Sequence, residues 1–162
     1  MKKTFRWHII NCFRHSLGIS FAGLIVLVFM VLKLIIEREK AINLYGPVLT
    51  AIQKQMLKFW IADIKDPSDF EQLGIRMKER FWFWRIIFDI KILQQDKHVF
   101  KVRINNCEVC SWLIKFGFIE LSRYICIADF KISEDHADKW AFERKNAIGN
   151  GDSFCDHTYL RL

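Results

Sequence analysis

Apolar residues return along this chain at several spacings, and each spacing predicts a different kind of element. Leu17 to Leu32 carry no charge, and because Lys33 can extend its amine away from an apolar surface, the run LGISFAGLIVLVFMVLKLII reaches Ile36. Twenty residues rising about 1.5 Å each give roughly 30 Å, the thickness of a bilayer hydrocarbon core. Next, Ala41, Tyr45, Val48, Ile52, Met56 and Phe59 recur every three or four residues, with Gln53, Lys54 and Lys58 on other faces. That pattern predicts an amphipathic helix, started or kinked at Gly46-Pro47 because proline cannot donate to the preceding turn. Asp66-Pro67-Ser68-Asp69 reads as a cap with proline at the first helical position, opening a second helix to about Glu79.

From Trp82 the period becomes two. Trp82, Trp84, Ile86, Phe88, Ile90 and Ile92 alternate with a set that includes Arg85, Asp89 and Lys91, which predicts a strand with one buried face. Gln94 to Lys97 turn it, and Phe100, Val102 and Ile104 against Lys101, Arg103 and Asn105 give the antiparallel return strand. Cys107 then heads a helix, CEVCSWLIKFG, that Gly117 closes, and Glu120 to about Phe130 form another, with Cys126 and Asp129 on one face.

The tail predicts a second hairpin, with Trp140–Ile148 and Phe154–Leu162 as strands around the turn GNGDS. In the last strand Cys155, His157, Tyr159 and Arg161 share one face and Asp156, Thr158, Leu160 and Leu162 the other. The predicted fold class is α+β: an N-terminal apolar helix, two amphipathic helices, then a four-stranded antiparallel sheet of two hairpins with two helices between them. Residues 1–37 form the anchor segment and 38–162 a single domain.

Charge supports the division. Residues 1–37 hold Lys2, Lys3, Arg6, Arg14 and Lys33 against Glu37, a net +4, leaving twenty basic against seventeen acidic residues, a net +3, for the remainder. Basic residues densest around the apolar segment, with Trp7 at its edge, suit a single-pass membrane anchor facing lipid headgroups. The positive-inside rule leans slightly toward a cytoplasmic N-terminus. No small-residue cleavage site follows the run, which disfavours a signal peptide. A buried or amphipathic soluble helix remains open, since Gly18, Ser20 and Gly23 dilute the segment. Nucleic acid is not an expected partner, because the soluble part has neither a basic run nor a recognition motif.

The candidate chemistry lies in the last third. Cys107, at a strand-to-helix junction, meets unpaired backbone N–H groups and the positive end of a helix dipole, which favour thiolate and make it the leading nucleophile candidate. Cys110, one turn in, is expected to pack. The pair CEVC is similar to a thiol-disulfide oxidoreductase motif, but both prolines, Pro47 and Pro67, lie upstream of it, where none can face the dithiol from a later segment. Asp129 and Asp156 are general-base candidates, His157 can form a dyad with Cys155, and Arg144 can hold a carboxylate by a bidentate contact. Cys107, Cys126 and Cys155 with an acid or His157 are chemically permitted metal ligands, but their spacings are irregular and no metal or cofactor is assigned. The four cysteines after the apolar helix pair outside the cell or stay reduced in the cytosol, and sequence does not choose.

Taken in order, these pieces are familiar: a strand ending at Cys107, a helix closed by Gly117, Glu120-Leu121, Cys126 with Asp129, Phe142 with Arg144, and Gly151-Asp152 followed by Cys155-Asp156. Residues 98 to 162 thereby resemble the L-2-amino-thiazoline-4-carboxylic acid hydrolase family. Members often carry Pro after the first Cys and Phe after the final Cys-Asp, where this chain has Glu108 and His157. The resemblance implies hydrolytic opening, at a C–N or C–S bond, of a small cyclic thiazoline carboxylate. Cys107, Cys126, Asp129, Cys155 and Asp156 then form the expected catalytic set, and Arg144 and His157 the substrate-binding set. The alternative is a membrane-tethered small-ligand sensor or binding module without turnover. Whether the chain forms homo-oligomers is left open.

Overall fold

The four strands form one antiparallel sheet in the order β1-β2-β4-β3. A computed structural model of the chain describes the backbone of residues 2–162 and side chains from residue 8 onward. Trp7, Lys2, Lys3 and Arg6, expected at a membrane edge, therefore have side chains outside the described residues. The strands are β1 (Ile90–Gln95), β2 (Val99–Ile104), β3 (Trp140–Glu143) and β4 (Cys155–Arg161). The helices are α1 (Lys2–Lys33), α2 (Arg38–Leu57), α3 (Phe70–Ile87), α4 (Glu108–Lys115) and α5 (Ile119–Glu134).

The sheet follows from alternation. Buried and partly buried residues alternate strictly along β2 and through most of β4. Their register sets Phe100 opposite Tyr159, Val102 opposite His157 and Ile104 opposite Cys155, so six inward residues form adjacent rows on one face. The β1–β2 turn is pinned by the Asp96 carboxylate, which accepts from the N–H groups of His98 and Val99 at 2.8 Å each. Helices α3 and α5 cover the inward face, joined through a core that includes Phe70, Leu73, Met77, Phe81, Ala128 and Ile132. Each such large apolar side chain contributes about 1.5–3 kcal/mol on burial.

Several expectations are corrected, among them the first tail strand, which ends at Glu143 and not at Ile148. Residues 82 to 87 belong to a helix, since α3 runs on to Ile87 and the strand begins only at Ile90. Its buried residues, Phe70, Leu73, Met77, Phe81 and Trp84, have helical spacing, and Trp82 is 72% exposed. In α2 the buried face is Ala41, Gly46, Leu49 and Leu57, while Val48, Ile52 and Met56, and Phe59 just after the helix, are exposed. Small residues decide this: at Gly46 an added Cβ would sit 2.4 Å from the Tyr124 ring, so α2 and α5 approach too closely for a larger residue. Pro47 lies inside α2, which begins upstream at Arg38.

The stretch His8–Lys33 is long and apolar enough to cross a membrane. It is not isolated from the domain. Gly18 abuts Glu108 so closely that a Cβ would lie 2.2 Å from that residue's own, and the Phe29 and Phe118 rings meet edge to face at 5.5 Å. His15 Nδ1 is 3.1 Å from Glu108, and Arg14 donates to the carbonyls of Arg85, Ile86 and Phe88, satisfying the C-terminal end of α3. The outer residues of α1, among them Phe21, Leu24, Leu27 and Val31, remain exposed.

Candidate functional site

Cys107 owes its place to a short polar knot. The Asn105 N–H and side-chain amide donate to the carbonyl and carboxylate of Asp89, both at 2.9 Å, and the Asp89 N–H donates to Asn106 Oδ1. This fixes the end of β2 and delivers Cys107, in extended conformation, as the residue that caps α4. Gly117, at φ 83°, closes the helix, as its position after the last apolar residue implied.

Helix α5 brings Cys126 and Asp129 to the same place from another direction. The 3-10 turn Ile148–Asn150 packs directly on it: Ser122 Oγ donates to the Gly149 carbonyl at 2.6 Å, and a Cβ on Gly149 would stand 2.5 Å from Cys126 Sγ. From the sheet, β4 contributes Cys155 and His157 on its inward face, and the Ile148 N–H donates to Cys155 Sγ at 3.2 Å.

Cys107, Cys126, Asp129, Cys155 and His157 all line one cavity of about 50 Å³. Cys110 lines it too, with its Sγ 3.9 Å from that of Cys126. The remaining wall is mostly apolar, built from Leu57, Trp60, Trp84, Phe88, Ile104 and Ile125, with Gln53 as a further polar residue. All five cysteines are free thiols. Among the described residues no three His, Cys, Asp or Glu side chains are disposed to hold a metal ion.

Asp156 is elsewhere. Its carboxylate accepts from the N–H groups of Lys145 and Asn146 and so anchors the loop after β3, because adjacent residues of a strand face opposite ways. Arg144 is near the site but not in the cavity wall. Its Nη1 donates to the Cys126 carbonyl at 3.0 Å and pairs with Asp129 Oδ2, and its guanidinium packs over Phe130.

The electrostatics divide the thiols. Hydrogen bonding to Cys107 and Cys126, reinforced by burial, pushes the Cys110 thiol well up and keeps it protonated. The bond from Cys110 lowers Cys126, helped by Arg144 and the Gly149 N–H, against the opposing effects of burial and of Asp129. Burial pushes Cys155 far up. Burial likewise lowers His157, whose two ring nitrogens lack hydrogen-bond partners although Nε2 is 3.6 Å from Asp129 Oδ2. A neutral imidazole beside a carboxylate can accept a proton, and a carboxylate behind it stabilises the cation that results.

The family model for L-2-amino-thiazoline-4-carboxylic acid hydrolase matches residues 19–159, most of the chain. The chain belongs to that family. No curated protein and no solved structure matches it. The match begins inside the apolar segment of α1, so the second half of this helix and all of α2 lie within the hydrolase-family region along with nearly all of the sheet. The family's name implies a small-molecule substrate.

Sequence reasoning missed Trp60, Trp84 and Phe88 as wall residues. Trp60 sits in the irregular link after α2, where periodicity carries no signal, and the alternation from Trp82 reads Trp84 and Phe88 as strand residues. Cys110 was detectable through the CxxC spacing.

Proposed function

We propose that this chain is a membrane-attached hydrolase that opens a small cyclic amidine of the 2-aminothiazoline type. The observation that carries the reading is the meeting of Cys107, Cys126, Asp129 and His157, from α4, α5 and β4, around one cavity in a chain of this hydrolase family. The exposed apolar surface of α1 supports attachment to lipid.

The ring carbon between sulfur and nitrogen is the electrophile. His157, steadied by Asp129, takes a proton from water as the oxygen bonds to that carbon. The tetrahedral adduct then breaks a ring bond. If C–N breaks, the proton held by His157 passes to nitrogen and the product is an S-carbamoyl thiol with a free amine; if C–S breaks, sulfur takes it and the product is a ureido compound with a free thiol. Cys107 offers a second route: its thiolate adds to the same carbon, a ring bond breaks, and water then releases the carbamoyl product and restores the thiol. It suits this role as the least buried cysteine of the cavity, at a helix N-terminus. Arg144, through its ion pair, positions the Asp129 carboxylate.

The test is ring opening by the purified full chain, with 2-aminothiazolines as substrates and products identified by mass spectrometry. Asp129→Asn is expected to lower the rate at least a hundredfold under either route. Loss of activity in Cys107→Ser, with a covalent adduct on the wild-type thiol, selects the thiolate route. A thermal shift with each ligand and no product from any of them would favour a binding module instead.

A further inference from the structure

We infer that α1 does not cross the membrane but lies along its surface, with one face in a single lipid leaflet and the other on the domain. This deepens the lipid attachment of the proposed reading, and ring opening does not depend on it.

Both ends of α1 touch the same polar domain. Near its start, Arg14 donates to the carbonyls of Ile86 and Phe88 at 3.2 Å each, at the end of α3, and His15 pairs with Glu108 at the start of α4. Farther on, after roughly 22 Å of helix, Phe29 meets Phe118 in the link between α4 and α5. Just past α1, Arg38 pairs with Glu120 at 3.0 Å. The domain therefore follows α1 for most of the ~30 Å that a hydrocarbon core measures. A helix crossing the bilayer in this arrangement would draw the charged side chains of Glu108, Lys115, Arg38 and Glu120 toward hydrocarbon, where ionised groups are costly unless they face a bundle interior or water.

The faces of α1 divide accordingly. Gly18, Ala22 and Phe29 are buried on the side turned to the domain, whereas Phe13, Leu24, Leu27, Val28 and Val31 lie on the opposite side, 40 to 62% exposed. A helix resting on a protein in water shows one apolar stripe and one polar face, but this one is apolar on both. Protein covers the first face, so the second calls for an apolar cover of its own. Charge selects that cover. Residues 1–37 carry a net +4, which anionic headgroups attract, whereas a second copy laid on the same face would bring like charges together.

The experiment adds the full chain carrying Leu162→Cys to preformed phosphatidylcholine vesicles that contain phosphatidylglycerol, and floats them. Its reporters are the introduced thiol and Cys12, which is exposed and borders a polar cleft with Asn11, Asp89 and Asn105. The chain is expected to float, and a membrane-impermeant maleimide to label both thiols in intact vesicles as fully as after permeabilisation. Labelling of only one of the two on each molecule until the vesicles are opened means that α1 crosses, which overturns this inference and leaves lipid attachment standing. A chain that stays unbound, or that covers the face by dimerising, overturns the inference and the attachment together, while ring opening is assayed separately. Leu24→Asp combined with Val31→Asp, on the side away from the domain, should lower vesicle partitioning at least a hundredfold without changing the far-UV spectrum; binding as tight as before would equally contradict the inference.

Discussion

His157 Nε2 stands 3.6 Å from Asp129 Oδ2, inside the protein, with no hydrogen bond to either ring nitrogen. Burial is the main cause that lowers the imidazole below its ordinary value of about 6.5, and the carboxylate only partly opposes it. The unfolded chain therefore binds this proton first, and folding stability falls as pH drops below about 6.5 and is fully present above it. His136, also lowered mainly by burial, acts in the same window. Unfolding free energies between pH 5 and 8 should decline toward acid by less than about 1.4 kcal/mol per pH unit for each group. His157→Asn should flatten the slope and leave the contribution of His136. A slope unchanged by that substitution would show His157 to be solvated.

Arg144 and Asp129 form an ion pair with side chains 5% and 14% exposed. Removing the guanidinium leaves a carboxylate without its counter-charge, so Arg144→Met should cost about 3–5 kcal/mol of stability. Adding Asp129→Asn to that variant should restore most of the loss, because the amide needs no counter-charge. Urea unfolding of the two single variants and the double variant measures the coupling, and simple additivity would contradict it.

Gly149 has no room for a side chain. A Cβ there would lie 2.5 Å from Cys126 Sγ and 2.7 Å from the Ser122 carbonyl oxygen, the latter a backbone atom of α5 that cannot swing aside. Gly149→Ala should destabilise by about 1–3 kcal/mol and change the reactivity of Cys126 toward a small alkylating reagent. Thermal unfolding and timed mass spectrometry of the labelled protein read the two effects.

The contact of α1 with α4 makes its own prediction. Gly18 meets Glu108, whereas Gly23 has nothing within 4 Å of the position its Cβ would take. Gly18→Leu should loosen α1 from the domain and raise amide exchange in α4, while Gly23→Leu should leave exchange as it was. Both are measured on the full chain in detergent micelles or lipid discs. Equal behaviour of the two variants would place α1 away from α4.

β2 and β4 were legible because half-buried strands impose a period of two, here carried by Phe100, Val102 and Ile104 and by Cys155, His157 and Tyr159. Residues 82 to 87 were not, because WFWRII offers an apolar residue to either period. The deciding stripe, Phe70 to Trp84, begins twelve residues before that segment. In α2 Val48, Ile52 and Met56 are exposed while Ala41 and Gly46 are buried beside Leu49 and Leu57, a division that hydrophobicity alone cannot reveal; at Gly46 the close approach of Tyr124 sets it. Cys107, Cys126 and Cys155 could be picked out as chemically distinctive, but that all three line one cavity depends on the β2–β4 register and on the Gly149 contact, which are properties of the folded chain. Asp156 shows the converse, since its place beside Cys155 in sequence puts it on the other face of the strand.

Whether His157 and Asp129 work as one unit can be read from a double-mutant cycle on kcat/KM for ring opening, using His157→Asn, Asp129→Asn and the pair together. Residues that serve the same step are not additive, so the double variant should be no slower than the worse single variant, within about threefold, with both singles far below the unmodified chain. Losses that multiply, or a rate untouched by either change, would contradict a shared site.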